Sequence, residues 1–82
     1  MPYAVKTFST SDAAVILCKD ELELAEVAAK TVWSLGFSSA DSINFVSESA
    51  IWLQLDAPTF SRFPITIYRI SEEEYDKWQK AF

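Results

Sequence analysis

The sequence contains no histidine, one glycine, one cysteine and three prolines in 82 residues. Without histidine, the Cys/His zinc sets and the Ser/His and Cys/His catalytic sets are excluded. A single glycine excludes the glycine-rich loops that cradle phosphates. The lone Cys18 cannot close an internal disulfide. Small secreted domains usually depend on such staples, so the expected compartment is the reducing cytoplasm. The longest wholly apolar run, Ala13 to Cys18, is far too short to cross a bilayer. Met1 to Lys6 shows neither the basic start nor the apolar stretch of a signal peptide, and neither end carries a lipidation motif.

Basic residues are scarce as well. Seven Lys and Arg stand against twelve Asp and Glu, a formal net charge of -5. Phosphate contacts need a surplus of Lys and Arg, so direct binding to nucleic acid or an anionic membrane is disfavoured. If charge matters to function, the partner should be basic. What is abundant is apolar surface: half of the residues are hydrophobic and 15% are aromatic, well outside the composition of disordered chains. By size scaling such a chain exposes roughly 5,000 Å² when folded, against about 13,500 Å² unfolded. Residues 1–82 are therefore expected to form one compact domain with a single modest core.

Hydrophobic periodicity and turn chemistry divide the chain. Tyr3–Phe8 alternates and is rich in strand formers, Ser9–Asp12 is a polar turn, and Ala13–Cys18 is a short apolar strand, so the two runs predict a hairpin. A rival reading extends one helix from Asp12 to Leu35, because Ala14, Leu17 and Cys18 continue its apolar face. Strand then helix is preferred, since Val15-Ile16 has β character and Asp20 with Glu23 forms a capping-box-like start. That helix runs to Leu35 and stops at Gly36, which suits a left-handed cap. Ile43–Val46 and Ala50–Leu55 read as two strands around Ser47-Glu48-Ser49, with Trp52 and Gln54 on the face opposite Ile51, Leu53 and Leu55. Asp56 to Pro64 reads as a proline-framed loop and Ile65–Ile70 as the last strand. Ser71 and Glu74 cap a terminal helix bearing Tyr75, Trp78 and Phe82 on one stripe. The expected fold is a two-layer α+β domain of order β-β-α-β-β-β-α. An antiparallel sheet of about four to five strands is covered by one long helix, with a short C-terminal helix.

The candidate chemistry is thin. Half of the acids (Asp20, Glu21, Glu23, Glu72, Glu73 and Glu74) fall at predicted helix starts, where each is stabilised by the helix dipole. Local capping leaves their long-range field intact. Asp41, Glu48 and Asp56 fall in predicted turns, where nothing in their spacing makes them converge as an acid/base pair. No acidic run has the ligand spacing of a calcium loop. Cys18 beside Lys19 lacks a base and a resolving thiol, so it reads as a small buried hydrophobe. No catalytic residue, cofactor or metal is therefore expected.

The aromatics carry more information. Phe60, Arg62 and Phe63 crowd into one loop, a combination enriched at protein interfaces; the bland alternative is that the two Phe residues close the end of the sheet. Trp33 lies at the edge of a helix face near Glu26, and Trp52 shares its strand face with Gln54. Phe60, Arg62, Phe63, Trp33 and Trp52, with the acids Glu26, Glu48 and Asp56, are accordingly the candidate protein-interface residues. The function expected is a non-enzymatic protein-binding module, an acidic inhibitor or adaptor covering a basic, nucleic-acid-handling surface. Size and charge are those of many phage and mobile-element proteins that block host defence, an analogy that rests on no site. The alternatives are a self-associating subunit that pairs through a strand edge or the Trp52 face, and, least favoured, a small-ligand binder or enzyme.

Overall fold

The computed structural model describes residues 1–8 and 13–81. Its elements are β1 (Tyr3–Phe8), β2 (Ala13–Cys18), α1 (Glu21–Ser34), α2 (Ser39–Leu53), β3 (Thr59–Arg62), β4 (Ile65–Arg69) and α3 (Glu72–Ala81). The class is α+β, as the pattern predicts, with a four-stranded antiparallel sheet and three helices. The turn expected at Ser9–Asp12 and the terminal Phe82 lie outside the described residues.

The strands are ordered β2-β1-β4-β3, so two hairpins distant in sequence meet where β1 pairs with β4. Tyr3 stands opposite Cys18 and Arg69, and Val5 opposite Ile16 and Ile67. Phe60 is opposite Ile67 on the other side. Because strand side chains alternate, these residues share one face of the sheet. Helix α1 lies over β1 and β2, and α2 over β3. The core forms between: Tyr3, Val5, Cys18, Ile65 and Ile67 from the sheet, Leu24 and Val32 from α1, and Phe45 and Trp52 from α2. On the opposite face, α3 and the sheet frame a groove of about 330 Å³ lined by Ala4, Lys6, Val15, Tyr68, Ile70, Glu74 and Trp78.

Local chemistry starts and stops α1 as its sequence implies. The Asp20 carboxylate accepts from the Glu23 backbone N–H at 2.9 Å. At the other end Gly36 takes φ +72°. Its N–H donates to the Trp33 carbonyl, and the Phe37 N–H donates to the Val32 carbonyl, each at 3.1 Å. This is the paired bonding of a Schellman cap. Ser71 starts α3 in the same spirit, accepting from the Glu74 N–H at 3.0 Å. The rival single helix from Asp12 is set aside, because residues 13–18 pair with β1 along their whole length.

The middle of the chain requires a correction. Ile43–Val46 and Ala50–Leu55 are not strands; both fall in or at the end of α2, and the order is β-β-α-α-β-β-α. The sheet is thus covered by two helices rather than one. Ser38 caps α2 by accepting from the Asp41 N–H at 3.1 Å. With that start, Phe45, Ser49 and Trp52 fall at i, i+4 and i+7 on the core side. The Asp56–Pro64 loop is also corrected in part, since Thr59–Arg62 forms the edge strand β3. Pro58 and Pro64 flank it where neither has to donate to the ladder.

Candidate functional site

Helices α1 and α2 are joined by Leu35–Ser38 and run side by side on the sheet, yet leave a groove of about 200 Å³ between them. Its walls are Ala25, Ala28 and Ala29 of α1 and Val46, Ser49 and Ala50 of α2; its floor is Leu24, Phe45, Leu53 and Ile67. Small side chains explain the opening: alanine on both walls leaves the space that larger residues would fill. Apolar side chains flank it. Leu22 (71% exposed) and Trp33 (86%) continue the Ala29 stripe of α1; on α2, Val46 (58%) is itself a wall residue and Ile43 (66%) stands one turn before it. Large apolar side chains thus stand in water on the outer side of both helices.

The same layer carries the charge. Residues 20–56 hold Asp20, Glu21, Glu23, Glu26, Asp41, Glu48 and Asp56 against Lys30 alone, a formal net charge of -6, while the rest of the chain sums to +1. Arg62 and Arg69, which bond to α2, reduce the excess on the two-helix side from -6 to -4, and four further acids, Glu72, Glu73, Glu74 and Asp76, stand apart on α3. The polar groups bordering the groove already have partners. Glu21 Oε1 accepts from the Tyr3 hydroxyl at 2.9 Å, and Ser49 Oγ donates to the Val46 carbonyl at 3.1 Å. A backbone N–H bond and the Tyr3 hydroxyl hold the Glu21 carboxyl below its ordinary pKa. Burial, reinforced by Glu21, pushes the Tyr3 phenol upward.

The interface candidates read from sequence separate into surface and core. Trp33 and Glu26 are both exposed on α1, as is Asp56 beyond the end of α2. Trp52 is 4% exposed; it sits on α2, not on a strand, and its ring packs into the core. The loop pair splits. Phe63 is 87% exposed, whereas Phe60 turns inward, with ring centres 5.6 Å from Phe45 and 6.0 Å from Trp52. With Phe37 against Phe45 and Tyr3 against Trp52, these rings form a continuous aromatic row through the core.

Arg62 and Glu48 are not a free anchor and a free acid. The Arg62 guanidinium donates from Nη1 to both Glu48 carboxylate oxygens at 3.0 Å, and Asp41 lies 3.6 Å from Nη2. Asp41 and Glu48 fall two turns apart on α2, so the helix brings to one cation two acids that the strand-and-turn reading kept apart. The trio clamps β3 to α2. Among the described residues, no cluster of three acidic or thiol groups is arranged to hold a metal ion.

Sequence reasoning missed Arg69. From the end of β4 its Nη2 donates to the carbonyls of Trp52, Leu53 and Leu55 at 3.0, 3.2 and 2.9 Å. Its Nε donates to Ala57 at 3.0 Å. A positive side chain thus gathers carbonyls at and just beyond the C-terminus of α2, the Trp52 carbonyl also accepting from the Leu55 N–H at 2.9 Å. The only hint in the sequence is an arginine inside an otherwise apolar strand.

Fold and surface together define a small α+β domain in which two helices form an acidic, grooved layer on an antiparallel sheet. Against known proteins the chain matches no family model, and neither a curated protein nor a solved structure matches it.

Proposed function

We propose that this chain is a non-enzymatic protein-binding module, an acidic inhibitor or adaptor that covers a basic surface on its partner, of the kind that otherwise handles nucleic acid. One observation carries the reading: the net negative charge and the row of exposed apolar residues lie on the same two-helix layer. Charge of one sign steers a partner and apolar contact holds it. The groove walls are chiefly methyl groups, and Glu21 and Ser49 beside them are already hydrogen-bonded, which favours binding over chemistry. Cys18 is a free buried thiol, in keeping with a reducing compartment such as the cytoplasm.

The test is affinity capture from the native host, followed by titration of the purified partner at rising salt. Affinity should fall steeply with ionic strength and again in the Glu26→Lys, Asp56→Lys double variant. Binding indifferent to both salt and charge reversal overturns the reading. A second reading, self-association, is favoured by β2, an edge strand of six apolar residues without a single charge. Such an edge can pair with its own copy. A mass by light scattering that stays monomeric at high concentration removes it.

A further inference from the structure

We infer that the groove between α1 and α2 is the seat of a basic amphipathic helix supplied by the partner, an inference that rests on the protein-binding reading above. The groove, at about 200 Å³, is too small to admit a helix about 10–12 Å across. A helix lying over it can insert a row of apolar side chains between the walls of α1 and α2, with Leu22, Trp33 and Ile43 exposed beyond them for further apolar contact, as ridges enter grooves in ordinary helix packing. The buried rings and side chains of Leu24, Phe45 and Ile67 form a firm floor for them.

The chemistry of the walls selects the occupant. Both walls are helices whose backbone groups are bonded within themselves, so they offer nothing to the free N–H and C=O groups of an extended peptide. A helical ligand arrives with those groups satisfied. The charge of the layer, -6 over residues 20–56 and still -4 once the bound Arg62 and Arg69 are counted, calls for lysine or arginine on either side of the ligand's apolar stripe. It also disfavours a second copy, whose helical layer would bring the same excess of acid. The docked helix completes a three-helix layer over the sheet.

The probe is a fluorescein-labelled synthetic 15-residue peptide, the length of α2, with leucines at i, i+3, i+4 and i+7 and lysines on the flanks. Two control peptides have the same residues scrambled, or glutamate in place of lysine. The amphipathic basic peptide should bind the full chain about tenfold or more tighter than either control. Its amide perturbations should centre on Ala25, Ala28, Val46 and Ala50. Ala25→Phe, which fills the groove, should weaken binding about tenfold. Val46→Asn, an uncharged change on an exposed side chain, should weaken it too and guards against a folding defect in the first variant.

Equal binding of the scrambled peptide, or perturbations spread over every acidic surface, overturns the inference. A dimer of the protein alone whose perturbations lie in the groove also overturns it, in favour of a second copy. If the captured partner loses affinity on charge reversal but binds Ala25→Phe and Val46→Asn unchanged, the groove is wrong and the wider reading stands. A partner insensitive to salt and charge reversal removes both.

Discussion

The Arg69 guanidinium lies 4.5 Å from the centre of the Trp52 ring and donates to the carbonyl oxygen of the same residue at 3.0 Å. One side chain from the end of β4 therefore grips α2 by a ring face and by its C-terminal carbonyls. Cation–π contact and charge-assisted hydrogen bonds act on the same helix end. Without them α2, and the groove wall it forms, loses its tie to β4 and keeps the Arg62 clamp to β3 and its core packing.

Arg69→Ala should lower stability by about 2–3 kcal/mol, because several partly buried carbonyls lose their donor at once. Arg69→Lys should restore only part of this, since an ammonium lacks the planar fork that reaches carbonyls in different directions. Urea midpoints of the three proteins check both statements. An alanine variant as stable as the parent would remove the anchoring role.

Trp52 poses a different balance. Its ring is part of the core, yet its indole Nε1 is buried without a hydrogen-bond partner among the described residues. Trp52→Ala should cost about 3–5 kcal/mol through the cavity it leaves. Trp52→Phe trades lost volume against relief of the unpaired N–H and should cost under about 1.5 kcal/mol. Thermal and urea unfolding distinguish them. If phenylalanine costs as much as alanine, the unpaired N–H is not a burden on the fold.

Gly36 at φ +72° has open space around the position of a Cβ. The expected penalty of Gly36→Ala is therefore that of the left-handed backbone alone, about 1–2 kcal/mol. Gly36→Asn should cost less, because asparagine visits that region more readily. A midpoint unchanged by alanine would mean that the α1 cap relaxes without loss.

Burial, with Glu23 and Asp20 adding to it, pushes the Cys18 thiol from 9.0 up to about 11. The folded state then holds this proton more tightly than the unfolded chain. Its contribution is fully present below the unfolded value, declines as pH rises, and is lost through about 11. Tyr3, also shifted upward, acts in the same direction. Stability should fall across this alkaline range, less steeply in Cys18→Ala, as read from urea midpoints against pH. Equal slopes in the two proteins would exclude the thiol as a contributor.

Much of the fold was legible where local chemistry and periodicity agreed. Asp20 with Glu23, Gly36, and Ser71 with Glu74 mark helix ends through groups only a few residues apart, and these ends are found in place. Ala13–Cys18 was read as a strand from its apolar, β-branched character. The 39–53 segment misled because Ser, Asn, Ile and Val form helices only weakly, while Ala50–Leu55 happens to alternate. A helix-start signal is present there, Ser38 followed three residues later by Asp41, but it lies within a serine-rich stretch that reads equally as a connection. For the interface residues, the helix wheel places Trp33 only at the edge of the apolar face and leaves its exposure to be settled by packing, and the loop containing Phe60 and Phe63 gives no means of telling which ring turns inward.

The α+β class, the helix termini, the absence of histidine and the acid excess can be read from the chain alone, because each depends on composition or on neighbours within a turn or two. Tertiary structure decided that 39–53 is helical, that Phe60 and Trp52 are core, that Arg62 is held by Glu48, and that Arg69 anchors α2. These outcomes depend on pairs separated by 14 to 17 residues or more, and on which ring fills which space against the sheet. It also placed the acids of residues 20–56 and the exposed apolar side chains of α1 and α2 on one layer. That coincidence arises because both covering helices fall on the same face of the sheet, and no local pattern encodes which face that will be.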